Sequence, residues 1–329
     1  MMETMSQLAA MIRADDPARR RRAAARLMTR LQDRPQELPA LLRALDPLPE
    51  PDLVLGITGM PGSGKSTLAD ALIARWRARD PGAPIGIIAI DPSSAHGGAM
   101  LGDRIRMMRH ADDEGVFIRS LAARGTSGGL TIGLQGVLAV LRRLECRFII
   151  IETVGVGQNE VEIVRAADAT LLVLAPGHGD AIQLLKSGLM EIGDLIAINK
   201  SDRDDAAQVH RDLLATLSLK GGVAGDEMRV LLISAIQQTG LDALMERLDD
   251  MAARRREGWI EHRRSALERE LGDLIRREAS RLAQDAIDRG GLIARVRDGE
   301  LSVADAAELA LRGRGDEQAL RPALRNSAD

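Results

Sequence analysis

The feature that most constrains the fold of this chain is the octapeptide Gly-Met-Pro-Gly-Ser-Gly-Lys-Ser at positions 59–66. It follows an apolar run, residues 53–57, and precedes a helical stretch, residues 67–78. The pattern G-x-x-x-x-G-K-[ST] between a strand and a helix is the P-loop, in which backbone N–H groups surround phosphate oxygens at the positive end of the helix. The sequence therefore predicts a nucleotide site on a parallel α/β sheet.

The residues of this octapeptide have distinct predicted roles. Lys65 brings a positive charge to the terminal phosphates and is a candidate catalytic residue. The hydroxyl group of Ser66 is a candidate ligand of Mg²⁺, the expected cofactor. The candidate nucleotide-binding residues in this part of the chain are Gly59, Pro61, Gly62, Ser63, Gly64, Lys65, Ser66 and Thr67.

Short apolar runs recur along the middle of the chain and are separated by helical segments. Because these runs are continuous rather than alternating, they are typical of strands buried on both faces of a parallel sheet. The predicted fold is α/β, a P-loop NTPase sheet with helices on both faces, in a domain that spans residues 49–250. The predicted strands are residues 53–57, 85–90, 148–151, 170–174, 195–198 and 230–233.

Helical segments flank this domain on both sides. Residues 1–48 have apolar residues at helical spacing, divided by prolines, which predicts an N-terminal extension of two or three short helices. Residues 251–329 are predicted to form a charged C-terminal helical arm with one narrow apolar stripe. Such a stripe favours packing against a partner helix, so the arm is predicted to form a homodimer. The stripe comprises Leu267, Leu271, Leu274, Ile275, Ala279 and Leu282.

A second motif, Asn199-Lys200-Ser201-Asp202, follows the predicted strand 195–198. It matches N-K-x-D, in which the carboxylate accepts hydrogen bonds from the ring N–H and the exocyclic amine of guanine. Adenine has no matching pair of donors, so GTP and GDP are favoured over adenine nucleotides. The candidate guanine-binding residues are Asn199, Lys200 and Asp202 in this motif, with Ser234, Ala235 and Ile236 after a later predicted strand.

Three carboxylates are candidates for the metal and phosphate side of the site. Glu152 begins a Glu-x-x-Gly sequence after a predicted strand, which is similar to the D-x-x-G motif that positions a magnesium-bound water. Asp91 ends another predicted strand, and ligands of open α/β sheets bind at this edge. Glu152 and Asp91 are candidate catalytic residues, and both, with Asp103, are candidate metal-site acids.

The sequence predicts slow hydrolysis by the isolated chain. Val156 stands where many GTPases have a glutamine that orients the attacking water, and an apolar side chain cannot do this. Gln158 and Asn159 follow closely as alternatives, and Arg104 and Arg124 lie in glycine-containing loops as possible arginine fingers. A partner that orders these loops is therefore expected to accelerate GTP hydrolysis.

The amino-acid composition narrows the possible classes of partner and the possible cellular compartment. The aromatic content of 1% leaves few platforms for stacking nucleic-acid bases, and the net charge of −3 gives no overall basic field for nucleic acid or membrane. Cys146, the one cysteine, adjoins an apolar run and is predicted to be a core thiol. The chain is expected to be cytoplasmic, because the sequence shows no recognisable signal peptide and no apolar stretch long enough to span a membrane.

The chain resembles the MeaB/ArgK family of P-loop GTPases over nearly its whole length. The resemblance is carried by residues 59–67, by Asp91-Pro-Ser-Ser94, by Leu101-Gly-Asp-Arg104, and most specifically by Glu152-Thr-Val-Gly-Val-Gly-Gln-Asn159. Further matching segments are Gly188-Leu-Met-Glu-Ile-Gly-Asp194 and Asn199-Lys-Ser-Asp202.

This resemblance implies both a fold and a function. The family has a GTPase domain with an N-terminal helical extension and a C-terminal dimerisation arm. Its members bind adenosylcobalamin-dependent mutases such as methylmalonyl-CoA mutase, gate cofactor delivery and help to remove inactivated cofactor. By resemblance, Asp91, Asp103 and Glu152 are switch and magnesium-site acids, and residues 177–188 form a further switch that meets the mutase. The candidate switch or partner residues are Gly177, Asp180, Gln183 and Lys186.

Three departures from the family pattern fall in the switch loops, at His96, Ser127 and Ala181. Because these departures lie outside the nucleotide motifs, the identity of the partner is considered separately from the identity of the nucleotide. One alternative is a transport-linked nucleotide-dependent kinase, which calls for an acceptor pocket or a membrane component. Another is a GTPase that delivers a metal such as nickel to a metalloenzyme. Five histidines and one cysteine disfavour the metal-delivery alternative, because such proteins use clusters of these residues.

Overall fold

The structure is a computed structural model of the 329-residue chain. It describes residues 4–92, 110, 112–123, 129–153, 166–177, 193–219, 229–257 and 259–312. The chain divides into two compact units, Met1–Arg256 and Glu257–Asp329. The division into three parts at residues 48 and 250 stays a prediction.

The first unit is built on a seven-stranded sheet in which every pair of neighbouring strands is parallel. The strand order is β3-β2-β4-β1-β5-β6-β7. This confirms the predicted fold class, and it places the ends of β1, β2 and β4 side by side. The strands are β1 Leu53–Thr58, β2 Ile85–Pro92, β3 Val116–Ala123, β4 Phe148–Thr153, β5 Ala169–Leu174, β6 Leu195–Ile198 and β7 Val230–Leu232.

Helices cover both faces of this sheet. Along β5, Leu171 and Val173 pack in the same core as the helices that follow β1 and β7, whereas Leu172 and Leu174 pack with the helix that follows β6. Alternate residues of one strand are thus buried on opposite faces, which explains the continuous apolar runs in the sequence. The helices are α1 Met5–Met11, α2 Pro17–Asp33, α3 Leu38–Leu45, α4 Lys65–Arg79, α5 Gly129–Arg143, α6 Ala206–Leu219 and α7 Leu241–Glu257.

The N-terminal helices belong to this unit: α2 and α3 pack on α5, and α1 packs on α2 and α3. Their boundaries follow capping chemistry, since Asp16 accepts a hydrogen bond of 2.9 Å from the backbone of Ala18 and Pro17 occupies the first turn of α2. Gly136 of α5 permits the close approach, because a Cβ atom there would lie 2.3 Å from Leu31 Cδ1. The prolines therefore separate the helices as the sequence predicted.

Strand β3 was not predicted from the sequence. It contains Arg119 and Ser120, which interrupt its apolar pattern, and it lies at one edge of the sheet. Side chains of α2 contact it: Arg21 Nη2 donates to the carbonyl oxygen of Val116 at 3.1 Å, and Arg119 Nη2 donates to Gln32 Oε1 at 2.6 Å. The polar residues of β3 thus pair with a helix that covers a sheet edge.

Two of the few aromatic residues stack in the core of the first unit. The rings of Trp76, on α4, and Phe148, at the start of β4, have centroids 4.5 Å apart and planes inclined by 8°. Trp76 is almost fully buried. The stack joins the helix that begins at the P-loop to the strand that carries Glu152.

The predicted core thiol is confirmed. Cys146 is buried beside β4, and burial raises the pKa of its thiol to about 12. A thiol with so high a pKa is almost wholly protonated at neutral pH and reacts slowly with electrophiles.

The second unit is helical, with α8 Trp259–Gly290, α9 Leu292–Arg297 and α10 Val303–Arg312. Leu292, Leu301 and Ala310 are buried in its small core. The last helix begins at a cap, because the backbone N–H of Asp305 donates to Ser302 Oγ at 3.1 Å. Among the described residues of both units, no helix is long and apolar enough to cross a membrane.

Candidate nucleotide-binding site

The P-loop between β1 and α4 has a backbone that requires glycine at two close approaches. Gly59 has φ of 140°, and a Cβ atom there would lie 2.1 Å from the carbonyl oxygen of Val173 on β5. Gly64 has φ of 91°, and its Cβ atom would lie 2.3 Å from Asn199 Nδ2. Both positions are therefore closed to any side chain. The predicted loop residues Pro61, Gly62 and Thr67 are exposed around these fixed points.

Lys65, the first residue of α4, points back into the loop. Its Nζ donates hydrogen bonds of 2.7 Å to the carbonyl oxygen of Gly59 and 2.9 Å to that of Met60. The side chain of Lys65 is nearly buried. Its ammonium group therefore lies within the loop that is predicted to surround the phosphates, where a terminal phosphate would compete with these carbonyl oxygens.

Ser66 and Glu152 come together although they are 86 residues apart. Ser66 Oγ donates a hydrogen bond of 2.6 Å to Glu152 Oε1, and Glu152 is buried at the end of β4. Asp91 lies near the end of the adjacent strand β2, and Asp103 lies outside the described residues. A hydroxyl oxygen and a carboxylate oxygen this close are hard ligands of the kind that Mg²⁺ prefers. Ser66 and Glu152 therefore fit the predicted metal.

Asn199 holds the predicted guanine loop, residues 199–202, to the P-loop. Its Nδ2 donates to the carbonyl oxygen of Ser63 at 2.9 Å, and its Oδ1 accepts a hydrogen bond of 3.0 Å from the backbone N–H of Ala235. Lys200 adds a second link, because its Nζ donates to the carbonyl oxygen of Gly62 at 2.7 Å. Asn199 and Lys200 therefore join loops that follow three different strands.

Asp202 is prepared as a hydrogen-bond acceptor. Ser234 Oγ donates to its Oδ1 at 2.6 Å, and the backbone N–H of Gln237 donates to Ser234 Oγ at 3.2 Å. This side-chain hydrogen bond lowers the pKa of Asp202 below its ordinary value, with smaller contributions from a backbone hydrogen bond and the positive charges of Arg203 and Lys200. The carboxylate is thus favoured in the ionised, acceptor-only form that the predicted guanine contact requires.

Ser234 and Ala235 begin a short closed turn. The backbone groups of Ser234 and Thr239 exchange hydrogen bonds of 3.0 and 3.2 Å. Ile236 projects from this turn with 78% of its surface exposed. The structure therefore brings Ser234 and Ala235 into contact with the N-K-x-D motif, and Ile236 follows them in the turn.

Comparison with known proteins agrees with this geometry. The model of the family described as "Methylmalonyl Co-A mutase-associated GTPase MeaB" matches residues 22–287. This chain belongs to the MeaB family. The putative GTPase of Pyrococcus abyssi, a relative of similar length, is 40% identical over 301 residues, covering 89% of this chain and 92% of the relative.

Two further matches to this MeaB-family chain are a longer fused protein and a solved structure. A fused isobutyryl-CoA mutase of Cupriavidus metallidurans is 41% identical over 197 residues, which are 59% of this chain and 18% of that protein. A crystal structure titled LAO/AO transport system kinase is 26% identical with a TM-score of 0.65, covering 94% of this chain and 98% of that one. The sequence expectation of a MeaB/ArgK P-loop GTPase is confirmed.

Most predicted switch residues of this MeaB-family chain lie outside the described residues. Among the four candidate switch or partner residues, Gly177 is described, because it ends the described segment after β5. The residues beyond the description include the three predicted partner residues, one metal-site acid, Val156, the candidates for orienting water or supplying an arginine, and the three departures from the family pattern. They are Asp180, Gln183, Lys186, Asp103, Val156, Gln158, Asn159, Arg104, Arg124, His96, Ser127 and Ala181.

One contact at the edge of the site was not predicted. Arg203, directly after Asp202, lies against Gly177, where a Cβ atom would be 2.7 Å from Arg203 Nη2. The two residues are 26 positions apart in the sequence, and neither motif specifies the other. The contact follows from the neighbouring positions of β5 and β6 in the sheet.

Proposed function

We propose that this chain is a GTP-binding and GTP-hydrolysing chaperone of an adenosylcobalamin-dependent acyl-CoA mutase similar to methylmalonyl-CoA mutase. In this role it gates cofactor loading and protects or reactivates the mutase. Membership of the MeaB family supports the association with a mutase, and so does the fused isobutyryl-CoA mutase among its relatives. The observation that carries the guanine-nucleotide part is the Asp202 carboxylate, held by Ser234 in a loop that Asn199 ties to the P-loop.

The guanine assignment is tested by calorimetric titration with GDP, GTP and ATP in the presence of Mg²⁺. We expect ATP to bind at least ~100-fold more weakly than GTP, because adenine leaves the acceptors of Asp202 unsatisfied. Equal affinity for ATP and GTP would exclude the guanine assignment and favour the transport-linked kinase alternative.

In the proposed reaction, Lys65 binds the terminal phosphates and Ser66 with Glu152 would hold Mg²⁺, with Asp91 and Asp103 as further metal-site acids. When bound, Mg²⁺ neutralises charge that develops on the β- and γ-phosphate oxygens. The short hydrogen bond between Ser66 and Glu152 orients both side chains before the nucleotide arrives. Glu152 also supplies negative charge beside the hydroxyl group, which favours a cation at this point.

The mutase part is tested by single-turnover GTP hydrolysis with and without a purified adenosylcobalamin-dependent mutase. We expect slow hydrolysis alone and an acceleration of up to ~10³ to 10⁵, the range by which an added arginine or an ordered water changes GTPase rates. Lys186→Ala is expected to reduce the acceleration and leave the intrinsic rate unchanged. Fast hydrolysis by the chain alone, or rates that the mutase leaves unchanged, would exclude partner gating.

We also propose that α8 joins two copies of this chain in a homodimer. Leu271 and Ile275 are each 58% exposed and Leu282 is 43% exposed, all on one side of α8. The test is the molar mass by light scattering of a variant with Leu271→Glu and Ile275→Glu. A monomer is expected, while the control Ser280→Glu, on the opposite side, stays dimeric. A monomeric unmodified chain would refute the dimer.

A further inference from the structure

Gln238 has a backbone conformation that its residue type does not favour. It lies in the closed turn, residues 234–239, between β7 and α7, and it has φ of 60°. This left-handed region is populated mainly by glycine, asparagine and aspartate, and a glutamine there is uncommon. Such outliers occur where surrounding contacts stabilise them, and they cluster at functional sites. The contacts of Gln238 therefore indicate what this residue does.

The side chain of Gln238 folds back on its own turn. Its Nε2 donates a partly buried hydrogen bond of 2.8 Å to the carbonyl oxygen of Ala235, three residues earlier. The backbone groups of Ser234 and Thr239 exchange hydrogen bonds of 3.0 and 3.2 Å around it. The amide of Gln238 thus adds a side-chain bond to a turn that backbone bonds already close.

Helix α4 holds the backbone of the same residue from outside the turn. Arg75 Nη2 donates a long hydrogen bond of 3.4 Å to the carbonyl oxygen of Gln238, and Arg75 Nη1 pairs with Asp242 in the first turn of α7. Because Arg75 restrains the main chain of Gln238, the glutamine amide is directed at Ala235 from a fixed point.

The first two residues of the closed turn contact the predicted guanine loop. The backbone N–H of Ala235 donates to Asn199 Oδ1 at 3.0 Å, and Ser234 Oγ donates to Asp202 Oδ1 at 2.6 Å. Displacement of the Ala235 backbone would strain both contacts, and the hydrogen bond from Gln238 opposes this displacement. The position of the Asp202 carboxylate therefore depends on a side chain that belongs to neither nucleotide motif.

We propose that Gln238 is a positioning residue for recognition of the base. Its amide keeps Ala235 and Ser234 in the arrangement that presents the Asp202 carboxylate to guanine. The residue acts through these neighbours, so it strengthens binding of guanine and leaves binding of ribose and phosphates unchanged. This inference rests on the proposed guanine specificity, and it adds a residue that determines how strong this specificity is.

The test compares GDP with ADP, because the two nucleotides share ribose and phosphates and only guanine matches Asp202. Affinities of the full chain are measured with Mg²⁺ by competition against a fluorescent GDP derivative. Gln238→Glu keeps the size of the side chain, but an ionised carboxylate cannot donate to Ala235. GDP affinity should fall about three- to tenfold, the factor that one hydrogen bond typically contributes, while ADP affinity stays unchanged.

Two further variants separate loss of the amide from the added charge. Gln238→Gly removes the amide without adding charge, and glycine adopts φ of 60° freely, so the same selective loss is expected. Gln208→Glu makes the same chemical change on the exposed side of α6, where the amide donates to Asp212 at 2.7 Å, and it is expected to keep GDP affinity. If Gln238→Glu fails to fold, Gln238→Gly decides the question alone.

Unchanged GDP affinity in Gln238→Gly would overturn the proposal. Equal losses of GDP and ADP affinity would also overturn it, because they indicate a general structural role. A loss in Gln208→Glu as large as that in Gln238→Glu would assign the effect to charge and overturn it as well. Equal affinity for GDP and ADP before any substitution would instead refute the proposed guanine specificity, so the two failures are distinguishable.

Discussion

The guanine end and the phosphate end of the proposed nucleotide site differ in what their key side chains contact. At the guanine end, Asp202 accepts a hydrogen bond from Ser234. Asn199 joins two loops through hydrogen bonds that nucleotide binding need not break. At the phosphate end, Lys65 binds carbonyl oxygens of its own loop and Ser66 binds Glu152. In the proposed site, base recognition is therefore prepared in the protein, whereas phosphate and metal binding would exchange existing hydrogen bonds for new ones.

The two lysines that contact the P-loop provide the largest expected contrast. Lys65→Ala should slow single-turnover GTP hydrolysis by ~10² to 10³, because it removes a charge aimed at the phosphates. Lys200→Ala should weaken GDP and GTP binding equally and leave the hydrolysis rate of bound GTP unchanged, because Lys200 only joins the guanine loop to Gly62. Equal effects of both substitutions on hydrolysis would contradict the division into two ends.

Asp202→Asn tests base recognition at the guanine end directly. It should weaken GDP binding by ~10², because the amide cannot accept both guanine hydrogen bonds. Xanthosine diphosphate, which presents a carbonyl where guanine has an amine, should bind this variant more tightly than it binds the unmodified chain. The measurement is calorimetric titration with both nucleotides. A uniform loss of affinity for both would indicate damage to the loop instead of changed base recognition.

Glu152→Gln tests the phosphate end, where metal binding would replace the existing hydrogen bond of this carboxylate. The neutral amide keeps the size of the side chain and removes the charge that favours a cation. The Mg²⁺ concentration that supports half-maximal GTP hydrolysis should rise by ~10 to 100-fold, as expected for loss of a group that supports a metal site. GDP binding in the presence of a chelator should be unaffected. An unchanged Mg²⁺ requirement would remove Glu152 from the metal site.

The smallest expected effect concerns pH at the guanine end. Because the hydrogen bond from Ser234 lowers the pKa of Asp202, the carboxylate stays charged as the pH falls, and protonation is postponed to more acidic solution. GDP affinity should therefore be constant from neutral pH to about pH 5, above the ordinary carboxyl pKa. Ser234→Ala should lose affinity at a higher pH than the unmodified chain. Identical pH profiles would show that Ser234 does not hold the charge.

The sequence predicted the parts of this site that depend on local patterns. The P-loop and N-K-x-D were recognisable because each places fixed residue types next to an apolar strand. Strand β3 was missed because Arg119 and Ser120 replace the apolar run, and their partners on α2 are more than 80 residues away. The bond from Asn199 to Ser63 and the contact of Arg203 with Gly177 depend on strand order, which no short motif encodes.

The stacked Trp76 has a practical consequence for spectroscopy. The chain has two tryptophans and no tyrosine, so its ultraviolet emission comes from Trp76 in the first unit and Trp259 at the start of α8. A Trp259→Phe variant would leave one emitter, packed on Phe148 between the P-loop helix and the strand that carries Glu152. Its emission wavelength would then follow denaturation of the sheet unit alone, without any added label.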